Sequence, residues 1–184
     1  MNDQELIEQL LQKSEPAFKW LVESYSKPVY NIILNIVQNS EEAEDATQEV
    51  FIKIYENISG FRRESALSTW IHRLAVNKAL DKLRRKKTRQ QLQKIIPWWM
   101  PSEKINDTAV FYHPGIIAEN KETAARLFKA IDSLPAKQKI AFTLIKIQGM
   151  KYEEVSRIMG TQVKALESLI GRAKQNLKQK LKNI

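Results

Sequence analysis

The chain has 184 residues, a net charge of +9 and no cysteine. The missing thiols exclude disulfides, thiolate catalysis and Cys-ligated zinc. Apolar residues at 43% and charged residues at 28% describe a globular chain with room for one ordinary domain or two small ones. With only 5 Gly and 6 Pro and an abundance of Leu, Ile, Ala, Lys, Glu and Gln, the expected fold class is all-α. Charge is unevenly distributed. Residues 1–60 carry 4 basic and 11 acidic side chains, residues 61–100 carry 11 and 2, residues 101–121 carry 2 and 3, and residues 122–184 carry 13 and 5. Two separate cationic blocks point to two contacts with a polyanion, solubilising surface lysine being the plainer alternative. The start MNDQELIEQLL lacks the pattern of a signal peptide, and no apolar run has the length of a membrane span, so a cytoplasmic protein without membrane insertion is expected.

In chain order, a first helix is expected over Gln4–Gln12. A second follows Ser14 and Pro16, with Phe18, Leu21, Val22, Tyr25, Val29, Ile32, Ile33 and Ile36 at helical spacing and Pro28 as a candidate kink. Ser40 is placed to cap a third helix, where Glu41, Glu42 and Glu44 suit the positive end of the helix dipole. This helix runs to about Tyr55 and buries Ala43, Ala46, Val50, Ile54 and Ile58, while Asp45, Gln48, Glu49 and Lys53 point elsewhere. After the break at Ser59-Gly60 comes a basic loop, Phe61-Arg62-Arg63-Glu64-Ser65, and then a fourth helix over Ala66–Lys87. Its apolar face is Leu67, Trp70, Ile71, Leu74, Leu80 and Leu83; its polar face is Ser68, His72, Arg73, Asn77, Lys78, Arg84 and Arg85. Periodicity weakens from Thr88, through Pro97, Trp98, Trp99 and Pro101. It returns from Glu122, and helices follow over Ala136–Ile147, Tyr152–Met159 and Val163–Leu181. Two small helical domains, 1–90 and 122–184, are thus expected around a linker, 91–121.

The segment YEEVSRIMGTQVKALESLIGRAK, from Tyr152 to Lys174, carries the strongest local signal. A short amphipathic helix meets a longer basic one across Gly160, which suits a left-handed turn. Val155, Ile158, Val163, Leu166, Leu169 and Ile170 supply a shared core, leaving Lys164, Glu167, Ser168, Gly171, Arg172 and Lys174 outward. That is a helix-turn-helix able to enter a major groove, an αα-hairpin in a bundle being the alternative. In the fourth helix and its loop, Trp70 beside Arg62, Arg63, His72, Arg73 and Asn77 combines aromatic and basic groups suited to single-stranded DNA, although Trp70 alone reads as core. Asp45 and Glu49 share one helix face with Gln48 near by, which by itself reads as solvated surface. His72 and His113 share no metal-ligand spacing, and no phosphate loop, HExxH motif or nucleophile elbow occurs. No enzyme, cofactor or metal is expected. An operator-binding regulator remains an alternative, but it leaves the acidic third helix unexplained.

Taken in order, these features resemble a bacterial RNA polymerase sigma factor of the extracytoplasmic-function (ECF) group. EEAEDATQEVFIKIYENISGF is similar to the segment that binds core polymerase, which implies Asp45, Gln48, Glu49 and Phe51 as contacts, Phe51 being equally suited to the core. FRRESALSTWIHRLAVNKALDKLRRKK resembles the region that melts and reads the −10 element. Phe61, Arg62, Thr69, Trp70, Ile71, Arg73, Ala75, Asn77, Asp81 and Arg84 stand where the family pattern puts such residues. Arg63, Ser65, Ser68, His72 and Arg85 join the candidate −10 set, and the resemblance implies that the loop at Gly60–Ser65 captures a flipped base. LPAKQKIAF and the helix-turn-helix resemble the −35-binding region, with Tyr152, Lys164, Ala165, Glu167, Ser168, Gly171, Arg172 and Lys174 as candidates. The common recognition helix of the family reads Thr-Val-Lys-Ser-Arg where this chain has Ala165–Leu169, so a different −35 preference is expected. The implied partners are core RNA polymerase, through its β′ clamp helices and β flap, promoter DNA and an anti-sigma factor. Trp98-Trp99 is a candidate anchor of the linker on polymerase.

Overall fold

The computed structural model describes residues 3–95 and 121–182. In chain order these form α1 (Asp3–Leu11), α2 (Glu15–Val37), α3 (Ser40–Asn57), a 3₁₀ turn (Ile58–Gly60), α4 (Leu67–Ile95), α5 (Lys121–Asp132), α6 (Ala136–Phe142), a π turn (Thr143–Ile147), α7 (Tyr152–Met159) and α8 (Val163–Lys182). Trp98, Trp99 and His113 lie outside the described residues.

Local chemistry sets the helix ends. Pro16 sits in the first turn of α2, where its missing N–H costs no helical bond. Pro28 lies inside α2 without ending it. The helix stops at Gln38, which adopts a left-handed φ of 57° and returns its N–H to Leu34 O at 2.8 Å. The cap of α3 is Asn39 rather than Ser40: Asn39 Oδ1 accepts from the Glu42 amide at 2.8 Å. A capping side chain reaches the amide three residues on, and Asn39 is the residue in extended conformation. Helix α4 continues to Ile95, beyond the expected end at Lys87. Residues 88–95 contain no Gly or Pro, so losing an apolar stripe there removes the packing signal without removing helix propensity. Gly160 takes φ 60° and closes α7, as a tight helix-turn-helix requires.

Helices α2, α3 and α4 pack mutually, with α1 laid across α2 and the 3₁₀ turn. Leu21, Ile32, Ile36, Ala46, Ile54, Ile71 and Ala79 fill the centre. In the second half, α8 packs on α5, α6 and α7. Phe128, Ile131 and Leu134 meet Ala173 and Leu177 there in a small separate cluster. Lys139 is buried in this half, its side chain only 2% exposed, with Nζ 2.6 Å from Asp132 Oδ1. Burial pushes the Lys139 ammonium below its ordinary value, and Asp132 opposes that shift.

The two halves share one hydrophobic core. Ile140, Leu144, Ile145, Val155 and Ile158 join the cluster that contains Ile33, Ile71 and Val76. Helix α4 packs against α7 and α6, and α2 against the π turn. Polar bonds tie the junction: Arg73 Nη2 donates to Arg157 O at 2.8 Å, Gln38 Nε2 to Phe128 O at 3.0 Å, and Gln148 Nε2 to Asn31 O at 3.3 Å.

Candidate nucleic-acid interface

The two expected DNA-reading surfaces differ in how the fold presents them. On α8, Leu166, Ile170, Ala173 and Leu177 recur at intervals of three and four and face inward. That period leaves Lys164, Ala165, Glu167, Ser168, Gly171, Arg172 and Lys174 exposed along the other side. Arg172 bonds back to Ser168, Nη2 to Oγ and Nε to the carbonyl, both at 3.3 Å. Tyr152, at the start of α7, is half-buried and packs against the core.

On α4 the candidates divide. Arg73, Asn77, Arg84 and Arg85 are exposed, as are Arg62 and Arg63 in the preceding loop; Ser65, Ser68 and Trp70 are half-buried. Thr69 and His72 are buried, at 3% and 8% exposure. Both were expected on a DNA-facing surface. They lie instead on flanks turned into the fold, His72 on the one where α7 packs on α4. His72 Nδ1 stands 3.7 Å from Glu154 Oε1 of α7 and has no hydrogen-bond partner among the described residues. Burial holds the His72 imidazole below its ordinary value, and Glu154 opposes that shift. Phe61 is also in the core, 9% exposed, with its ring centroid 5.3 Å from that of Trp70. The loop that follows turns outward through Arg63, whose φ of 58° is uncommon for a side chain of that size. Loop and α1 together line an open cavity of about 240 Å³, with Asp3, Gln4 and Ile7 on one side and Phe61, Arg63 and Ser65 on the other.

On α3, Asp45 and Gln48 are exposed and Glu49 is partly exposed. Phe51, a candidate polymerase contact, is 6% exposed and belongs to the core. Its neighbour Ile52 is 57% exposed and Tyr55 43%, so the apolar surface of this helix is offered by residues the motif comparison did not select. Lys13 from the α1–α2 turn lies over the Tyr55 ring, 4.3 Å from its centroid, and donates to the Tyr55 carbonyl. Glu49 pairs with Lys78 and Lys82 of α4, an arrangement that the lysine spacing of four residues could have suggested.

Among the described residues no group of three or more His, Cys, Asp or Glu could hold a metal, and no helix is long and apolar enough to cross a membrane.

Comparison with known proteins accounts for both halves. Residues 21–89 match the family model of sigma-70 region 2, and residues 124–177 that of sigma-70 region 4. The chain is 31% identical to the ECF RNA polymerase sigma-E factor of Haemophilus influenzae, covering 98% of this chain and 96% of that protein. It is 30% identical to the ECF sigma-E factor of Escherichia coli, over 98% and 95% of the two chains. The sigma-H factor of Pseudomonas aeruginosa is 29% identical over 94% of this chain and 90% of that protein. The fold is that of CnrH in its complex with the cytosolic domain of CnrY, with a TM-score of 0.69 at 21% identity over 98% and 97% of the two chains. The sigma factor RpoE bound to the anti-sigma factor NepR from Bartonella quintana gives 0.66 at 21% identity, over 90% and 96%. The chain therefore belongs to the ECF group of the sigma-70 family, non-catalytic factors that direct RNA polymerase to promoters and initiate transcription there.

Proposed function

We propose that the two halves act as separate domains, residues 1–90 on core polymerase and the −10 element and residues 122–184 on the −35 element, with 91–121 as the connection. The carrying observation is the exposed face of α8, where Lys164, Glu167, Ser168, Arg172 and Lys174 project from a helix whose other face is held in the core. Such a helix fits the major groove, with Glu167 accepting from a cytosine amino group and Lys164, Arg172 and Lys174 available to phosphates. In the N-terminal domain, Arg62, Arg63, Trp70, Arg73, Asn77, Arg84 and Arg85 face the opened −10 strand, and the loop beside the α1 cavity receives a base. Thr69 and His72 support that surface from within. Asp45, Gln48, Glu49 and the exposed Ile52 meet polymerase, where the expected docking element is the β′ clamp helices, with the β flap taking the C-terminal domain.

The packed arrangement cannot serve both promoter elements at once. The two are roughly 25 base pairs apart, about 85 Å along B-DNA. A compact chain of this length has a radius of gyration of about 16 Å. The domains therefore separate on binding polymerase. The junction suits a contact that opens: His72 Nδ1 is buried there 3.7 Å from Glu154 Oε1, too far for a good hydrogen bond. A protein of this fold, RpoE from Bartonella quintana, is seen in complex with the anti-sigma factor NepR, and such a partner holding the packed form is the regulation we assign.

Run-off transcription with core polymerase, with and without the protein, tests this reading. The expected result is promoter-specific transcript only when both are present. Tight promoter binding by the protein alone, with neither core binding nor transcript, would support an operator-binding regulator instead.

A further inference from the structure

The ion pairs between α3 and α4 have a use that neither DNA-reading surface explains. Lys78 and Lys82 are one turn apart on α4, on the flank beside Asn77 and Arg84. Both ammoniums converge on Glu49 of α3: Lys78 Nζ pairs with Oε2, and Lys82 Nζ lies 3.7 Å from Oε1. Each carboxylate oxygen therefore faces a cation of the DNA-reading helix. The lysine side chains are 23% and 18% exposed, against 42% for Glu49, so it is the carboxylate that solvent or a partner reaches first. The cluster is over-supplied with positive charge. Lys82 and Arg85 both act on Lys78 and, with burial as the leading cause, hold its ammonium below its ordinary value. Asp81 offsets this only partly and pairs with Arg84 at 3.3 Å.

Resting on the sigma-factor reading, we infer that Lys78 and Lys82 are further phosphate contacts of the −10 helix, held in reserve by Glu49 until polymerase claims that carboxylate. Glu49 stands on the polymerase-facing helix. A basic group of the clamp that pairs with it competes with both lysines and frees two ammoniums beside the base-reading face. Core binding on α3 thereby strengthens DNA binding on α4, and by linkage DNA strengthens core binding to the same extent. A plain brace between the helices would stabilise the fold without entering the salt dependence of DNA binding.

The test measures affinity for fork-junction promoter DNA over a salt series, using holoenzyme assembled from core polymerase and the full chain. Replacing both lysines (Lys78→Ala with Lys82→Ala) should make the slope of log K against log salt shallower by roughly 1.4–1.8, the contribution of two phosphates. Lys78→Arg with Lys82→Arg should restore it. An unchanged slope in a folded double-alanine variant overturns the inference. A second measurement does not depend on that variant folding. Free Glu49→Gln protein should bind the same DNA several-fold more tightly than the unaltered chain at low salt. No gain in affinity overturns the inference. If the holoenzyme initiates normally while these readouts stay flat, only this inference fails; if the chain neither binds core nor initiates, the functional reading beneath it fails.

Discussion

Helices α4 and α8 both carry residues assigned to DNA, yet the fold presents them in opposite ways. The recognition helix α8 is anchored on one side and bare on the other, so every candidate from Lys164 to Lys174 is exposed. Helix α4 is gripped by α2, α3 and α7, and its candidates are shared between surface and interior. On the proposed assignment, the difference matches the substrates. An intact duplex presents base edges in a groove, and a protruding ridge with polar side chains reads them. A melted strand has loose bases that need pockets, aromatic walls and fixed cations, which only a packed surface supplies. On the proposed assignment, rigidity is invested in the helix that handles the opened strand.

The largest expected effect comes from preventing the two halves from parting. Because the chain has no cysteine, Asn31→Cys with Gln148→Cys introduces its only thiols, at a pair of positions already joined by a hydrogen bond. Joined by a short bis-maleimide, the chain should lose transcription initiation while still binding isolated −35 duplex through the bare face of α8. Full run-off activity from the cross-linked form would show that the packed arrangement is compatible with initiation.

Next in size is the support beneath α8. Asp132→Asn leaves the buried Lys139 ammonium without its carboxylate and should destabilise this half, by less than the roughly 3–5 kcal/mol of a fully buried pair because Asp132 is half-exposed. Lys139→Met removes the buried charge and lets the half-exposed Asp132 hydrate, so it should leave the midpoint nearly unchanged or raise it. Thermal unfolding of the two variants checks the order; equal losses would mean that the pair itself stabilises this half.

A smaller change is expected at the reading surface. Glu167→Lys should shift the preferred −35 sequence from cytosine toward guanine at one position, worth about 1–3 kcal/mol of discrimination. Selection from a promoter library reads the change, and an unaltered preference would remove Glu167 from base contact.

The smallest effect concerns acid. The packed form holds His72 neutral, because burial depresses its pKa more than Glu154 raises it. A separated form exposes an ordinary imidazole, with a pKa near 6.5. Closure stability is thus fully present above that value and declines as pH falls through it, since the open form then takes up a proton the packed form resists. Small-angle scattering between pH 7.5 and 5.5 should show modest expansion, abolished by His72→Gln. Expansion that persists in this variant would assign the response to other groups.

Much of this was legible in the sequence, and the failures share a cause. Periodicity located every described helix because apolar residues at three- and four-residue spacing can be buried together only on a helix. It predicted the outward face of α8 because that helix has a single buried side. On α4, Thr69 and His72 are polar, and nothing local marks a polar residue as buried; for His72 the cover includes a helix more than 80 positions away. Phe51 and Ile52 are adjacent apolar residues, and only the packing of α3 on its neighbours decides which is covered. The extension of α4 to Ile95 was missed because helix propensity persists where amphipathic patterning stops.

Gln38 sets how far these properties can vary independently. Its backbone occupies the left-handed region, where a side chain costs about 1–2 kcal/mol relative to glycine, and its amide bonds the opposite domain at Phe128. Glycine at this position relaxes the helix end and simultaneously removes the reach across the junction. If the halves part as proposed, this single substitution makes the first domain sturdier and the whole molecule readier to open, so closure and folding robustness need not change together.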